Sequence, residues 1–410
     1  MISKELLKKI LLRQKEQFCA KKGTVERDLL KDIVKWFNDE RIMIISGIRR
    51  VGKSTLLSQI MGQKKGCYVN FEDEKLLNFK AKDFEFLNEA LAEVYGTSKV
   101  YFFDEVQNVG QFESFIRRLH DQKKKIVITG SNALLLSGEL GTKLTGRYKL
   151  FELFPFSFVE FLRFKSAENA SIKRKQQLFK EFFTMGGMPE YLKNNDPDYI
   201  RTVYENILYR DLIARYSIRR QRVVKELVNM LATNVSSKFT YNALKKSLGL
   251  ANSITVKEHI CHLSDAYLFF ELEKFDFSSR RRIAAPKKIY FVDHSFCQVL
   301  GTEFSANSGK ILENIVFIEL KRRRKELYYF SGENECDFVV KKGAGVQEAI
   351  QVCYELNDGN MEREVVGLLE AMQALKIKKG IVLTYNQKDD IIKDGKRVKV
   401  MPVWEWMLED

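Results

Sequence analysis

Gly47-Ile48-Arg49-Arg50-Val51-Gly52-Lys53-Ser54 is a complete G-x-x-x-x-G-K-[ST] phosphate loop, and Thr55 carries it into a helical pattern. The loop stands directly behind the apolar run Ile42-Met43-Ile44-Ile45, which reads as a buried strand. The glycines allow a tight turn whose backbone N–H groups face phosphate oxygens. Lys53 brings a cation to the β and γ groups, and Ser54 offers a hydroxyl to Mg²⁺. The expected nucleotide-binding set is therefore Gly47, Arg50, Val51, Gly52, Lys53, Ser54 and Thr55, with ATP and Mg²⁺ as cofactors.

Outward from the loop, β-like runs at Arg41 to Ser46, Gly66 to Phe71, Val100 to Phe103, Ile126 to Thr129 and Tyr148 to Leu153 alternate with helix-like stretches. That alternation predicts an α/β domain with a parallel sheet, whose ligands gather at the C-terminal ends of its strands. The third run delivers Asp104-Glu105 there. Asp104 is expected to hold Mg²⁺, and Glu105 to polarise the attacking water as additional-strand NTPases do. The plainer alternative is an acidic helix N-terminus. The fourth run ends in Gly130-Ser131-Asn132, which makes Asn132, or failing it Ser131, the expected γ-phosphate sensor. Arg147, just ahead of the fifth run, is either a finger toward a neighbouring subunit's γ-phosphate or a partner for a carboxylate.

The remaining chain reads as three further parts. Pro155-Phe156-Ser157-Phe158 opens charged helical sequence to about residue 214, read as a helical lid that closes a domain over 1–214. Residues 215–285 hold three short helical patterns, Val223-Leu227-Leu231, Tyr241-Leu244-Leu248 and one capped by Ser253 through Ile254, Ile260 and Leu263. The runs Tyr267 to Leu272 and Lys288 to Val292 then predict a hairpin with the tip Ser278-Ser279-Arg280-Arg281-Arg282. Three helices and a basic hairpin make a winged helix-turn-helix. Residues 286–410 predict a helix over Ile311 to Leu320, strands at Leu327 to Phe330, Asp337 to Val340 and Ala349 to Tyr354, a helix over Val365 to Leu375 and a strand at Gly380 to Leu383.

Charge is unevenly distributed along the 410 residues, whose formal net charge is +15. Residues 1–214 and 215–288 each carry +9, and residues 289–410 carry −3. The short middle segment is the basic one, which points to DNA or to a solvated face. Asn252, Ser253, Thr255 and Lys257 are the expected base-edge readers, with Arg280, Arg281 and Arg282 on phosphates. Lys321 to Lys325 follows a helix and either meets an acidic partner or favours the helix dipole. The six cysteines form no C-x-x-C pair, and no apolar run approaches a membrane span, so a cytoplasmic protein is expected, with no membrane partner. His259 and His262 have the spacing of a zinc pair but no second ligand pair nearby.

The phosphate loop, Asn70-Phe71-Glu72-Asp73, Phe103-Asp104-Glu105-Val106-Gln107, Thr129-Gly130-Ser131-Asn132, Gly146-Arg147, Pro155 to Phe158 and Gly186-Gly187-Met188-Pro189 together resemble the prokaryotic AAA-superfamily ATPases that carry a C-terminal domain of unknown function. The resemblance runs over essentially the whole chain. It implies an AAA-like additional-strand P-loop NTPase domain with lid, a winged helix and a restriction-endonuclease-like α/β module; separately, a homo-oligomer is among the expected partners. In that module Glu313 and Asp337 match the expected helix and strand acids, but Gln351 and Cys353 replace the acid and lysine of the next strand. A neutral amide is a weak ligand for a hard cation, and no cationic partner is visible there, so a non-cleaving module is expected. The leading expectation is an ATPase coupled to a DNA-contacting winged helix. The alternatives are an ATP-dependent signalling or scaffold switch with a protein partner, and an ATP-dependent nuclease.

Overall fold

In the computed structural model the described residues are 2–19, 23–131, 146–300, 308–343, 345–393 and 395–409. They form two compact units, residues 1–153 with 265–267, and residues 154–264 with 268–410. In the first unit β1 (Ile42–Ser46), β2 (Cys67–Asn70), β3 (Val100–Asp104), β4 (Lys125–Gly130) and β5 (Tyr148–Glu152) form one parallel sheet in the order β2-β3-β4-β1-β5. The helices are α1 (Lys4–Cys19), α2 (Leu29–Lys35), α3 (Lys53–Gln63), α4 (Phe84–Tyr95) and α5 (Phe112–Asp121). Strands covered on both faces need continuous apolar runs, and β1 is buried at every position. Insertion of β4 between β1 and β3 brings three strand ends side by side: the loop after β1, Gly130-Ser131 after β4, and Asp104 on β3.

The open edge of this sheet is closed by a side chain. On α1, Leu7, Ile10 and Leu11 face the core. One turn further along, the Gln14 amide donates to the Asn70 carbonyl at 3.0 Å and accepts from the Asn70 N–H at 2.9 Å. It thus satisfies backbone groups of edge strand β2 as a neighbouring strand would.

In the second unit β6 (Lys238–Phe239), β7 (Phe269–Leu272) and β8 (Lys287–Phe291) form an antiparallel sheet in the order β6-β8-β7. Three helices precede or separate them, α6 (Gln221–Thr233), α7 (Tyr241–Ser247) and α8 (Ser253–Asp265). The expected hairpin forms, with Phe269 opposite Phe291, but its tip departs from expectation. Ser279–Ala284 is a short helix, because the Ser278 hydroxyl accepts the Arg281 N–H and arginine and alanine are good helix formers. The six-stranded sheet has the order β13-β14-β12-β11-β10-β9, made of β9 (Glu326–Ser331), β10 (Glu335–Lys342), β11 (Gly345–Cys353), β12 (Lys379–Thr384), β13 (Asp389–Lys393) and β14 (Lys396–Pro402). Sequence reading missed β13 and β14, whose charged outer positions dilute the apolar signal.

The Gly186-Gly187 pair is explained by close approach. A Cβ on Gly187 would lie 2.4 Å from the Phe156 carbonyl oxygen, and one on Gly186 would lie 2.1 Å from Asp293 Oδ1. Gly187 donates to Asp293 Oδ2 at 2.8 Å and accepts from Phe156 N–H at 2.8 Å, so the motif ties Pro155 to Phe158 to the residues after β8.

Candidate nucleotide site

The loop from Gly47 to Ser54 turns β1 into α3. Gly52 has φ 100°, in the region open to glycine, and a Cβ on Gly47 would approach the Leu153 carbonyl oxygen to 2.2 Å. Lys53 is buried at the head of α3. Its ammonium donates to the carbonyls of Gly47 and Ile48 at 3.1 and 3.2 Å and stands 3.4 Å from Glu105. Beneath the loop, buried Arg27 donates to the Val51 carbonyl at 2.9 Å, a support that no motif signalled.

Ser54 is among the neighbours that lower the pKa of Asp104, so the two expected magnesium ligands stand beside one another. Asp104 accepts from the hydroxyls of Thr129 and, at 3.1 Å, Tyr68. Burial and the neighbouring Glu105 nonetheless raise its pKa. Burial would likewise raise Glu105, but Lys53, Gln107 and Arg49 outweigh it and hold this carboxyl below its ordinary value. Glu105 adopts φ 52° and its N–H donates to Thr129 Oγ1 at 3.0 Å. Thr129 therefore fixes both acids at once. Sequence reading passed over it and Tyr68, since a strand-end threonine and a strand tyrosine are ordinary β residues. The donor set, a hydroxyl and a carboxylate beside a lysine, suits a hard cation with phosphates.

The other expected residues fall as follows. Arg50 is exposed with φ 67°, Val51 is buried, and Thr55 lies in the first turn of α3. Arg49 pairs with Glu72 at 3.0 Å, which gives part of the Asn70 to Asp73 motif a role. Ser131 is buried, and its hydroxyl has no hydrogen-bond partner among the described residues. Asn132 lies outside the described residues. Arg147 sits at the opposite end of the sheet from the phosphate loop, where its carbonyl accepts from Ile42 N–H and its side chain pairs with Asp121 at 3.2 Å.

The second unit corrects one expectation. A cationic partner does stand among the acids of the C-terminal module. It comes from β8. Lys288, 2% exposed, donates to Glu313 at 2.9 Å and Asp337 at 2.8 Å and pairs with Glu335 at 2.6 Å. Burial would lower its pKa, but Asp337 and Glu313 outweigh this and raise it well above the ordinary value. Burial and Asp337 push Glu313 up to about 8. Gln351 accepts from Asp337 N–H at 3.2 Å and donates to Glu364 at 2.6 Å, while Cys353 turns to the Glu355 carbonyl. His262 stacks on Tyr216 at 3.5 Å, with His259 6.4 Å away. Among the described residues no group of three His, Cys, Asp or Glu is placed to hold a metal. No helix of the described residues is long and apolar enough to cross a membrane.

A phosphate loop, two acids at the end of β3 and a parallel sheet define a P-loop ATPase of the AAA type. The family model for an AAA domain matches residues 39–162, and that for a domain of unknown function (DUF8612) matches residues 176–307. The uncharacterised protein MJ1544 of Methanocaldococcus jannaschii is 33% identical over 100% of this chain and 96% of its own length. An uncharacterised protein of Haemophilus influenzae is 28% identical over 95% of this chain and 100% of its own. A solved Walker-type ATPase of Pyrococcus abyssi superposes with a TM-score of 0.45 at 16% identity, covering 69% of this chain and 97% of that one. The chain belongs to the prokaryotic AAA-type ATPases that carry a C-terminal domain of unknown function.

Proposed function

We infer that the protein hydrolyses ATP with magnesium and couples the cycle to its C-terminal modules. The meeting of Lys53, Ser54, Asp104 and Glu105 around one strand end carries this reading. Lys53 and the N–H groups of Arg50 to Thr55 bind the phosphates, with Gly47 and Gly52 permitting the turn. Ser54 and Asp104 would hold magnesium, which supplies positive charge to the developing phosphate oxygens. Glu105 stays ionised beside Lys53 and accepts the proton of the attacking water, oriented by Gln107 and Thr129. Asn132 senses the γ-phosphate. Arg147, remote from its own loop, acts in a neighbouring subunit of a homo-oligomer.

The domains proposed are 1–214, an AAA-like ATPase with helical lid, 215–285, a winged helix, and 286–410, a restriction-endonuclease-like module that does not cleave. The basic charge of the middle segment supports DNA as partner. One observation favours a protein partner instead: Arg281 pairs with Asp276 at 3.1 Å and Arg282 with Glu273 at 3.2 Å, so two of the three tip arginines already spend charge within the unit. Turnover measured with and without duplex DNA separates these readings. Stimulation that falls with rising salt supports DNA. Recovery of a protein, without nucleic acid, on the Glu105→Gln variant held with ATP supports the switch.

A further inference from the structure

On the far side of α3 from its phosphate-loop end lies a cavity of about 850 Å³, within the range of small-ligand sites. It is bounded by the last turns of α3, the end of α1, the edge of β2 and the segment before β3. Lys15, Lys65 and Lys99 line it, and no carboxylate is among its described lining residues. The aromatic wall is Phe18, Tyr68 and Tyr95. Phe18 stacks on Tyr68 with ring centroids 3.8 Å apart, and Lys15 lies over the Tyr95 ring at 4.8 Å while bonding the Val94 carbonyl at 3.1 Å. Cations beside flat apolar rings, with no opposing acid, select an anion that carries an aromatic ring.

One wall residue reaches the nucleotide site. Tyr68 is 4% exposed, and its hydroxyl donates to Asp104 Oδ2 at 3.1 Å. Tyr68 is therefore shared by the cavity and by the carboxylate that would hold magnesium. We propose that this cavity binds a nucleoside monophosphate as an effector, and that Tyr68 transmits its occupancy to Asp104. The effect on turnover rests on the ATPase reading above, whereas the binding does not. A ligand that displaces the Tyr68 ring removes one of the hydrogen bonds that orient Asp104 and alters its fit to the cation.

The test is calorimetry of the full chain saturated with magnesium ADP, titrated with guanosine 5′-monophosphate and, separately, with inorganic phosphate. One further equivalent of the nucleotide should bind, at least about tenfold tighter than phosphate, and Lys65→Gln/Lys99→Gln should weaken it about tenfold. Binding should persist in Lys53→Ala, which separates the cavity from the phosphate loop. In the wild type the nucleotide should change ATP turnover, and in Tyr68→Phe that response should vanish while binding remains. No additional equivalent, equal affinity for phosphate, or indifference to the lysine changes overturns the site. An undiminished response in Tyr68→Phe overturns the coupling.

Discussion

Lys53 in the first unit and Lys288 in the second are both buried lysines facing acids, and the two differ in how their N–H donors are used. Lys53 gives two of its bonds to carbonyls of its own loop and stands 3.4 Å from one carboxylate, Glu105. Lys288 gives two hydrogen bonds to carboxylates, Glu313 and Asp337, and pairs with a third, Glu335, all at 2.6 to 2.9 Å. Backbone carbonyls are neutral and exchangeable for phosphate oxygens, so the charge of Lys53 is still available to an anion. The charge of Lys288 is consumed, which makes that centre a closed network with nothing left for a scissile phosphate.

The sharpest way to break this contrast is Lys53→Ala, which should abolish detectable ATP uptake in calorimetry while leaving urea unfolding of the second unit unchanged. Next comes Glu105→Gln. If Glu105 accepts the proton, steady-state turnover falls by about 10²- to 10⁴-fold with ATP affinity retained. Lys288→Met should act on stability in place of binding, costing about 3–5 kcal/mol in urea unfolding because it strands buried carboxylates. An unchanged midpoint would mean that the acids do not depend on that ammonium.

A pH series sharpens the same centre. Glu313, raised from 4.5 to about 8 by burial and Asp337, binds its proton more tightly folded than unfolded. That contribution is complete below pH 4.5 and is lost as pH rises through about 8. The unfolding free energy of wild type minus Glu313→Gln should decline across that window, and a flat difference would refute the assignment. The smallest effect on stability is expected for Arg147→Ala. Loss of its exposed pair with Asp121 costs no more than about 1 kcal/mol, so a large fall in turnover at unchanged stability would reveal a role in a neighbouring subunit.

Much of the first unit was legible because its information is local. The phosphate loop spends eight adjacent residues on one backbone turn, and five apolar runs announced five parallel strands. Thr129 and Tyr68 were not legible. Their importance lies in touching Asp104 from two different strands, which strand periodicity does not express. In the second unit the β7–β8 hairpin followed from its aromatic and β-branched runs, but its tip became a helix once the Ser278 cap was in place.

By itself, the chain order determined where a triphosphate would be held, since the turn, the lysine and the hydroxyl are consecutive and Lys53 is held by carbonyls of its own loop. Only tertiary structure decided which charges of the C-terminal module neutralise one another. Lys288, Glu313 and Asp337 come from a strand, a helix (Ser308–Arg322) and another strand, separated by 25 and 49 residues from the lysine. A buried charge must find its counter-charge wherever packing places it, and nothing adjacent in sequence reports that meeting.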